Sequence, residues 1–263
     1  MNVSSVKLLS ASVASAVLLM AASHNVYSHT RLSVPTAKES SSAHGTTTTA
    51  VNITHGCGDN PVIGNIMFLP DTQDATVHTA ETDAFTTFDT VDGDNALNYI
   101  ANPPFIRLIK SNDVFSVSDL ILDPLNNPIG FWAAGGSLPA KNWVGSLPMR
   151  ITAVAIKPES CATSVTFVVS VANVCNVTPM AAINSANPDD PNVDFWTAPG
   201  VGSPYDAPDW TYPATYKVER DLETNPLPES CGNGVAVRIV PSAAQMNRDM
   251  PVKFEGQQVW PQP

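Results

Sequence analysis

The hydrophobic positions of this chain form short runs, and no long segment has helical periodicity. β-Branched and aromatic residues cluster between Pro, Gly, Asn and Asp, a pattern that is typical of β-strands. The 23 prolines favour the same interpretation, because proline disrupts helix interiors. The runs predict six strands: Thr46–Ile53, Phe105–Ile109, Val114–Leu122, Met149–Ile156, Ser164–Val174 and Val235–Val240. We therefore expect an all-β fold, an immunoglobulin-like β-sandwich.

The segment from Asn184 to Pro213 is rich in Pro, Asp and Gly, and it predicts a long ordered loop. Its aromatic residues are expected to pack against the sandwich: Phe195, Trp196, Tyr205, Trp210 and Tyr212. An alternative is that these side chains form a carbohydrate-binding surface. Residues 29–263 are interpreted as one domain, with a core over about residues 29–175 and an enlarged C-terminal extension over residues 176–263.

Residues 1–28 have the pattern of a secretory signal peptide. Lys7 precedes an apolar run from Leu8 to Ala22, which is the order of charged and apolar regions in such signals. The small-residue rule favours cleavage after Ser28, which leaves His29 as the first residue; cleavage after Ala22 or Ser23 is the alternative. The prediction is a periplasmic or secreted protein with no membrane span after signal cleavage.

The charge balance narrows the classes of partner. The chain has 13 basic and 24 acidic side chains and a formal net charge of −11, which disfavours nucleic acid and anionic lipid. The chain lacks the GxSxG and HExxH motifs, a phosphate-binding glycine loop and a dinucleotide fingerprint. The sequence therefore favours a protein that is not an enzyme.

Four cysteines follow the predicted signal, and an even number in an exported chain indicates two disulfides. Three pairings of Cys57, Cys161, Cys175 and Cys231 are compatible with the sequence. We favour Cys161 with Cys175, because a local strand pair could bring them together, and this choice leaves Cys57 with Cys231. Metal binding by these thiols is the weaker alternative, because no CxxC spacing is present.

The predicted new N-terminus carries the strongest chemical signal. A free α-amino group and the imidazole Nδ1 of the same histidine can close one chelate ring on a metal ion. Nitrogen donors in a tetragonal arrangement suit Cu(II), which binds most tightly among the divalent ions of its row. An exported chain that begins at His29 is therefore a candidate Cu(II)-binding protein.

Three motifs follow His29 in order: the Pro35–Glu39 segment, Thr54-His55-Gly56-Cys57, and the run from Trp132 to Pro139. Over roughly residues 29–175 the chain resembles the YcnI-like family of exported copper-binding domains. The resemblance implies a β-sandwich that holds one Cu(II) through a single N-terminal histidine, with a carboxylate and a tryptophan near the metal. It implies His29 as the chelator and Trp132 as the residue beside the ion.

The carboxylate ligand has two candidates. Glu39 is the first, because it shares the N-terminal segment with His29, and Asp123 is the second, because it precedes Trp132 by nine residues. The resemblance implies a structural role for His55 beside a disulfide. The alternative is that a second histidine near the metal forms a two-histidine site like that of lytic polysaccharide monooxygenases.

These observations give one leading function and two alternatives. The leading function is a non-enzymatic carrier or buffer of Cu(II), which exchanges the ion with a copper-donating or copper-receiving protein. The first alternative is a copper-dependent oxidative enzyme that acts on polysaccharide. The second is a metal-free surface-binding module, with its contacts in the aromatic loop.

Overall fold

The computed structural model describes residues 29–42, 44–81, 89–91 and 93–263. The predicted signal peptide, residues 1–28, lies outside the described residues. The strands are β1 Arg31–Leu32, β2 Thr36–Lys38, β3 Thr46–Ile53, β4 Val62–Phe68, β5 Thr76–Ala80, β6 Asp89–Thr90, β7 Ile106–Leu108, β8 Phe115–Leu122, β9 Pro128–Leu138, β10 Gly145–Thr152, β11 Ala162–Val174, β12 Val193–Trp196, β13 Ala214–Glu219, β14 Val235–Val240, β15 Val252–Phe254 and β16 Gln257–Trp260. One α-helix, α1, spans Ala243–Asp249, and Ser242 caps its N-terminus by accepting a hydrogen bond from Gln245 N.

The structure is an all-β sandwich, as the strand pattern predicts. Two strands, β3 and β14, have the predicted bounds, whereas β10 begins four residues before the predicted Met149 and ends at Thr152. The sequence pattern missed β9, whose central residues include two glycines and two alanines. These small residues have low β-propensity, and the strand forms because it pairs with β4 on one side and β8 on the other.

Two sheets build the sandwich. The smaller has the strand order β1-β3-β10-β7, and the larger is organised around β11. The first half of β11 pairs with β13 and β14, and its second half pairs with β4 and β12. Strands from both the predicted core and the predicted C-terminal extension therefore share one central strand.

The large sheet is covered on both faces. Between the sheets, the main core contains Val51 and Met149 from the small sheet and Phe131, Val171 and Trp196 from the large one. On the outer face, a second cluster combines sheet residues with residues of α1, β15 and β16: Ile66, Phe68, Trp132, Ala172, Val174, Val193, Phe195, Tyr205, Met246, Met250, Val252 and Trp260. The C-terminal part of the chain thus supplies a third layer, and coverage of both faces of the sheet explains why β11 is buried along almost its whole length.

The disulfides are Cys57–Cys175 and Cys161–Cys231, with Cα–Cα distances of 6.0 and 5.2 Å. The expected pairing of Cys161 with Cys175 was wrong, and so was the pairing of Cys57 with Cys231. The reason is that Cys161 and Cys175 lie at opposite ends of β11. A strand rises by about 3.3 Å per residue, which separates them by about 45 Å, whereas a disulfide needs Cα atoms within about 7 Å.

The two disulfides are typical of proteins that fold in an oxidising compartment. None of the helices in the described part of the chain has the length and apolar character that a membrane span requires.

Candidate functional site

The start of the described chain lies beside the His55 motif because of strand register. In the antiparallel pair of β1 and β3, Arg31 lies opposite Asn52 and Leu32 opposite Val51. His29 lies two residues before Arg31, and its side chain lines the same pocket as His55. Thr30 is fully buried, and its Oγ1 accepts a hydrogen bond of 2.9 Å from Asn173 Nδ2 in β11. The segment is therefore anchored to both sheets.

The loop that carries His55 is fixed at two points. Gly56 N donates to Ala140 O over 3.1 Å, and Cys57 is bonded to Cys175 just after β11. A side chain at position 56 would overlap the carbonyl oxygen of Asn60. The glycine of the Thr54–Cys57 motif is therefore a steric requirement of this loop, and the loop holds His55 in place.

An indole forms the wall between the two histidines and the protein core. The Trp196 ring centroid lies 4.8 Å from that of His29 and 5.7 Å from that of His55. Tyr212 completes a triangle of rings, 5.7 Å from His29 and 5.4 Å from Trp196. Trp196 belongs to β12, where it pairs with Val171 of β11. The central strand thus positions the aromatic wall of the site.

These residues line a pocket of about 360 Å³, within the usual range for small-ligand sites. Its lining combines imidazoles and aromatic rings with carboxylates: His29, His55, Asp189, Asp194, Trp196 and Tyr212. Two buried polar atoms here, Trp196 Nε1 and Asp194 Oδ2, have no hydrogen-bond partner among the described residues. Most buried polar atoms in folded proteins are hydrogen-bonded, so this pocket is a candidate ligand site.

Arg31 influences both the tautomer and the protonation of the His29 imidazole. Its Nη2 donates to His29 Nδ1 over 2.6 Å and to Thr211 O over 3.0 Å, while Nη1 donates to Tyr212 O over 2.7 Å. Because a guanidinium can only donate, Nδ1 of His29 carries the lone pair. Partial burial and the nearby charge of Arg31 lower the pKa of His29, which favours the neutral imidazole.

Asp194 is the buried carboxyl group of the pocket. Its Oδ2 lies 3.5 Å from His55 Nδ1, and its side chain is 6% exposed. Burial raises the pKa of Asp194 to about 8, and the charges of Asp189 and Asp190 act in the same direction. The group therefore differs from an ordinary surface carboxylate, although nothing in its local sequence marks it.

Of the residues expected to surround a copper ion, only His29 lines this pocket. Glu39 accepts hydrogen bonds of 2.8 Å from Ile156 N and from Asp221 N, and further ones from Asn225. Asp123 accepts from Leu125 N and Asn127 N, and so closes the turn between β8 and β9. The structure thus uses both carboxylates to satisfy backbone donors.

Trp132 lies on the outer face of the large sheet. It is 7% exposed and belongs to the outer cluster, where its ring contacts Phe254 with a centroid distance of 6.3 Å. It pairs with Ile66 in β4. The tryptophan that the structure does bring to His29 is Trp196, which the sequence marked only as one aromatic residue of the predicted loop.

Within residues 29–42, 44–81, 89–91 and 93–263, no group of three or more His, Cys, Asp or Glu side chains is arranged to hold a metal ion. Comparison with protein-family models, with curated proteins and with solved structures finds no match to this chain. The interpretation of the pocket therefore depends on the chemistry of its own residues.

Proposed function

We propose that this protein is an exported Cu(II)-binding protein that carries or buffers the ion at its processed N-terminal residue, His29. One observation supports this proposal above the others. The residue that signal cleavage would make the first residue lies in the pocket that also contains His55 and the buried carboxyl of Asp194. A chelating N-terminus would thus begin inside a pocket that already holds a second imidazole.

The nitrogen atoms of His29 suit Cu(II), but a hydrogen bond from Arg31 competes with the ion for one of them. The α-amino group and Nδ1 of one histidine together form the chelate, and Nδ1 is the nitrogen that carries the lone pair in this structure. The lowered pKa of His29 reduces competition from protons. Against this, Arg31 donates to the same Nδ1, so the guanidinium must move away before the atom can bind a cation.

The ion itself would supply an acceptor for nitrogen donors in a tetragonal arrangement. The protein would contribute the chelate at His29, the aromatic wall of Trp196 and Tyr212, and an acidic rim at Asp189, whereas Asp59 is paired with Lys141. This acidic rim, on a chain with a net charge of −11, attracts cations. A carrier also needs a copper-donating or copper-receiving protein, and exchange would take place in the periplasm or outside the cell.

The decisive experiment compares two N-termini on the same protein. One form begins at His29, and the matched control keeps Ser28 in front of it. Cu(II) is titrated into each against a competing chelator, and the bound ion is examined by electron paramagnetic resonance. The expected result is one Cu(II) per chain at His29, with binding weaker by roughly tenfold or more when Ser28 blocks the α-amine. Equal affinities, or no binding by the form that begins at His29, would overturn the proposal.

A second candidate is a copper-dependent oxidative enzyme that acts on polysaccharide. Its specific support is that His55 packs against the same indole as His29, because oxidative copper sites of this class use two histidines. The discriminating measurement is turnover: the copper-loaded protein is incubated with a reductant and polysaccharides, and oxidised products are sought by mass spectrometry. Multiple turnovers would favour the enzyme, and their absence would favour the carrier.

A further inference from the structure

We infer that His55 supplies a second imidazole, through Nε2, to the Cu(II) ion that His29 chelates, and that the carbonyl oxygen of Gly56 orients the His55 ring for this role. The inference depends on the proposed function, and it identifies a ligand that the family resemblance does not provide. Its basis is the position, the tautomer and the surroundings of His55.

The position of His55 follows from the fold. The pairing of β1 with β3 brings the start of the described chain to the end of β3 that leads into His55, and the rings of His29 and His55 both pack on Trp196. The His55 ring meets the indole edge-on at an interplanar angle of 74°, whereas the His29 ring is tilted by 39°. One aromatic side chain thus supports two imidazoles that line the same pocket.

The tautomer of His55 is set by its hydrogen bond. Its Nδ1 lies 2.7 Å from the carbonyl oxygen of Gly56, and a carbonyl oxygen can only accept. Nδ1 must therefore carry the hydrogen, and Nε2 carries the lone pair of the neutral ring. Histidines that bind metals almost always donate their other ring N–H to a carbonyl or a carboxylate. Asp194 Oδ2 lies 3.5 Å from the same Nδ1 without accepting a hydrogen bond from it.

The surroundings of His55 point to a ligand independently of the two imidazoles. Trp196 and Asp194 are 4% and 6% exposed, yet Trp196 Nε1 and Asp194 Oδ2 have no hydrogen-bond partner among the described residues. Both atoms belong to residues that line the pocket and contact His55. A bound ion with its coordinated water would give these atoms a polar partner.

The loop geometry makes His55 a preorganised donor. Its neighbour Gly56 is fixed by the hydrogen bond to Ala140 O, and the Cys57–Cys175 disulfide follows immediately. His29 would become the chain terminus after processing, and its Nδ1 accepts a hydrogen bond from Arg31. Coordination of one ion by both histidines would require this hydrogen bond to be released.

The test counts the imidazoles on the bound ion. The protein that begins at His29 is loaded with one equivalent of Cu(II), and pulsed electron paramagnetic resonance detects the remote nitrogen of each coordinated ring. The expected result is two imidazoles in the wild type and one in His55→Ala, with affinity reduced by roughly tenfold or more. The matched control, His44→Ala, removes an exposed histidine and should keep both.

The outcomes separate this inference from the proposed function. One imidazole in the wild-type spectrum would overturn the inference while leaving the copper site at His29 intact, and this result needs no variant to fold. Unchanged affinity and two imidazoles in His55→Ala would overturn it as well. Absence of Cu(II) binding by the wild type would instead overturn the proposed function. A cooperative thermal unfolding transition of His55→Ala is required before its copper affinity is compared with that of the wild type.

Discussion

Trp132 and Trp196 project from opposite faces of the same sheet. Trp132 pairs with Ile66, Ile66 with Ala172, and Ala172 with Phe195, so these four residues share the outer face. Trp196 follows Phe195 directly, and side chains alternate along a strand. Trp196 therefore projects into the core between the sheets, where it contacts His29.

The position of Trp196 beside His29 predicts that its fluorescence, and not that of Trp132, responds to a metal ion bound at His29. Bound Cu(II) quenches the fluorescence of nearby indoles. We expect Cu(II) to quench the tryptophan fluorescence of the wild type and of Trp132→Phe to the same extent. In Trp196→Phe, most of this quenching should be lost. Fluorescence titration of the three proteins that begin at His29 measures this. Loss of quenching in Trp132→Phe would instead restore Trp132 as the residue beside the ion.

Glu39 is expected to stabilise the fold without binding copper. Its carboxylate accepts hydrogen bonds from Ile156 N, Asp221 N and the side chain of Asn225. Glu39→Ala leaves these donors without their acceptor and should lower the free energy of unfolding by about 2 kcal/mol. Urea denaturation gives this value, and Glu159→Ala, at an exposed position, is the control. Weaker Cu(II) binding by folded Glu39→Ala would contradict the structural role.

Arg31 is expected to compete with copper for His29. Its guanidinium donates to Nδ1 and lowers the pKa of that imidazole by its charge. Arg31→Ala should strengthen Cu(II) binding by roughly tenfold, because a hydrogen bond with a charged group contributes about 1.5 kcal/mol or more. Competition titration measures the affinity, and Arg150→Ala, at an exposed position of β10, is the control. Weaker binding by Arg31→Ala would show that Arg31 supports the site instead.

The two disulfides should differ in their effect on the site. Each pair of Cys→Ala substitutions should cost about 4 to 5 kcal/mol of folding stability, because the bonds close comparable sequence separations of 118 and 70 residues. Only the Cys57/Cys175 double variant should also weaken Cu(II) binding, since Cys57 holds the loop of His55. Denaturation and titration of both double variants test this, and equal copper affinities would disprove the link to the loop.

Asp206 should make folding stability fall as pH rises. Burial raises its pKa in the folded protein, although Gly202 N and Ser203 N donate to it. A raised pKa means that the folded state holds the proton more tightly, so stability is highest below the ordinary aspartate pKa and decreases above it. Asp206→Asn does not titrate. The free energy of unfolding of the wild type relative to Asp206→Asn should therefore decrease between acidic and neutral pH, and a flat difference would refute this.

The local pattern was sufficient for the fold class because runs of β-branched and aromatic residues between turn residues favour strands over helices. The run Thr46–Ile53 gave β3 with its observed bounds, and Val235–Val240 gave β14. The strand β9 was missed for the opposite reason. Its Gly and Ala residues have little intrinsic preference for a strand, and only pairing with β4 and β8 makes them one.

The sequence by itself determined the all-β fold class, the presence of two disulfides among four cysteines, and His29 as a candidate metal ligand. Tertiary structure decided which cysteines pair, that Glu39 and Asp123 satisfy backbone donors, and that Trp196 is the indole beside His29. The physical reason is separation along the chain. His29 and Trp196 are 167 residues apart, and they come into contact through the pairing of β1 with β3 and of β12 with β11, partners that a local pattern does not specify.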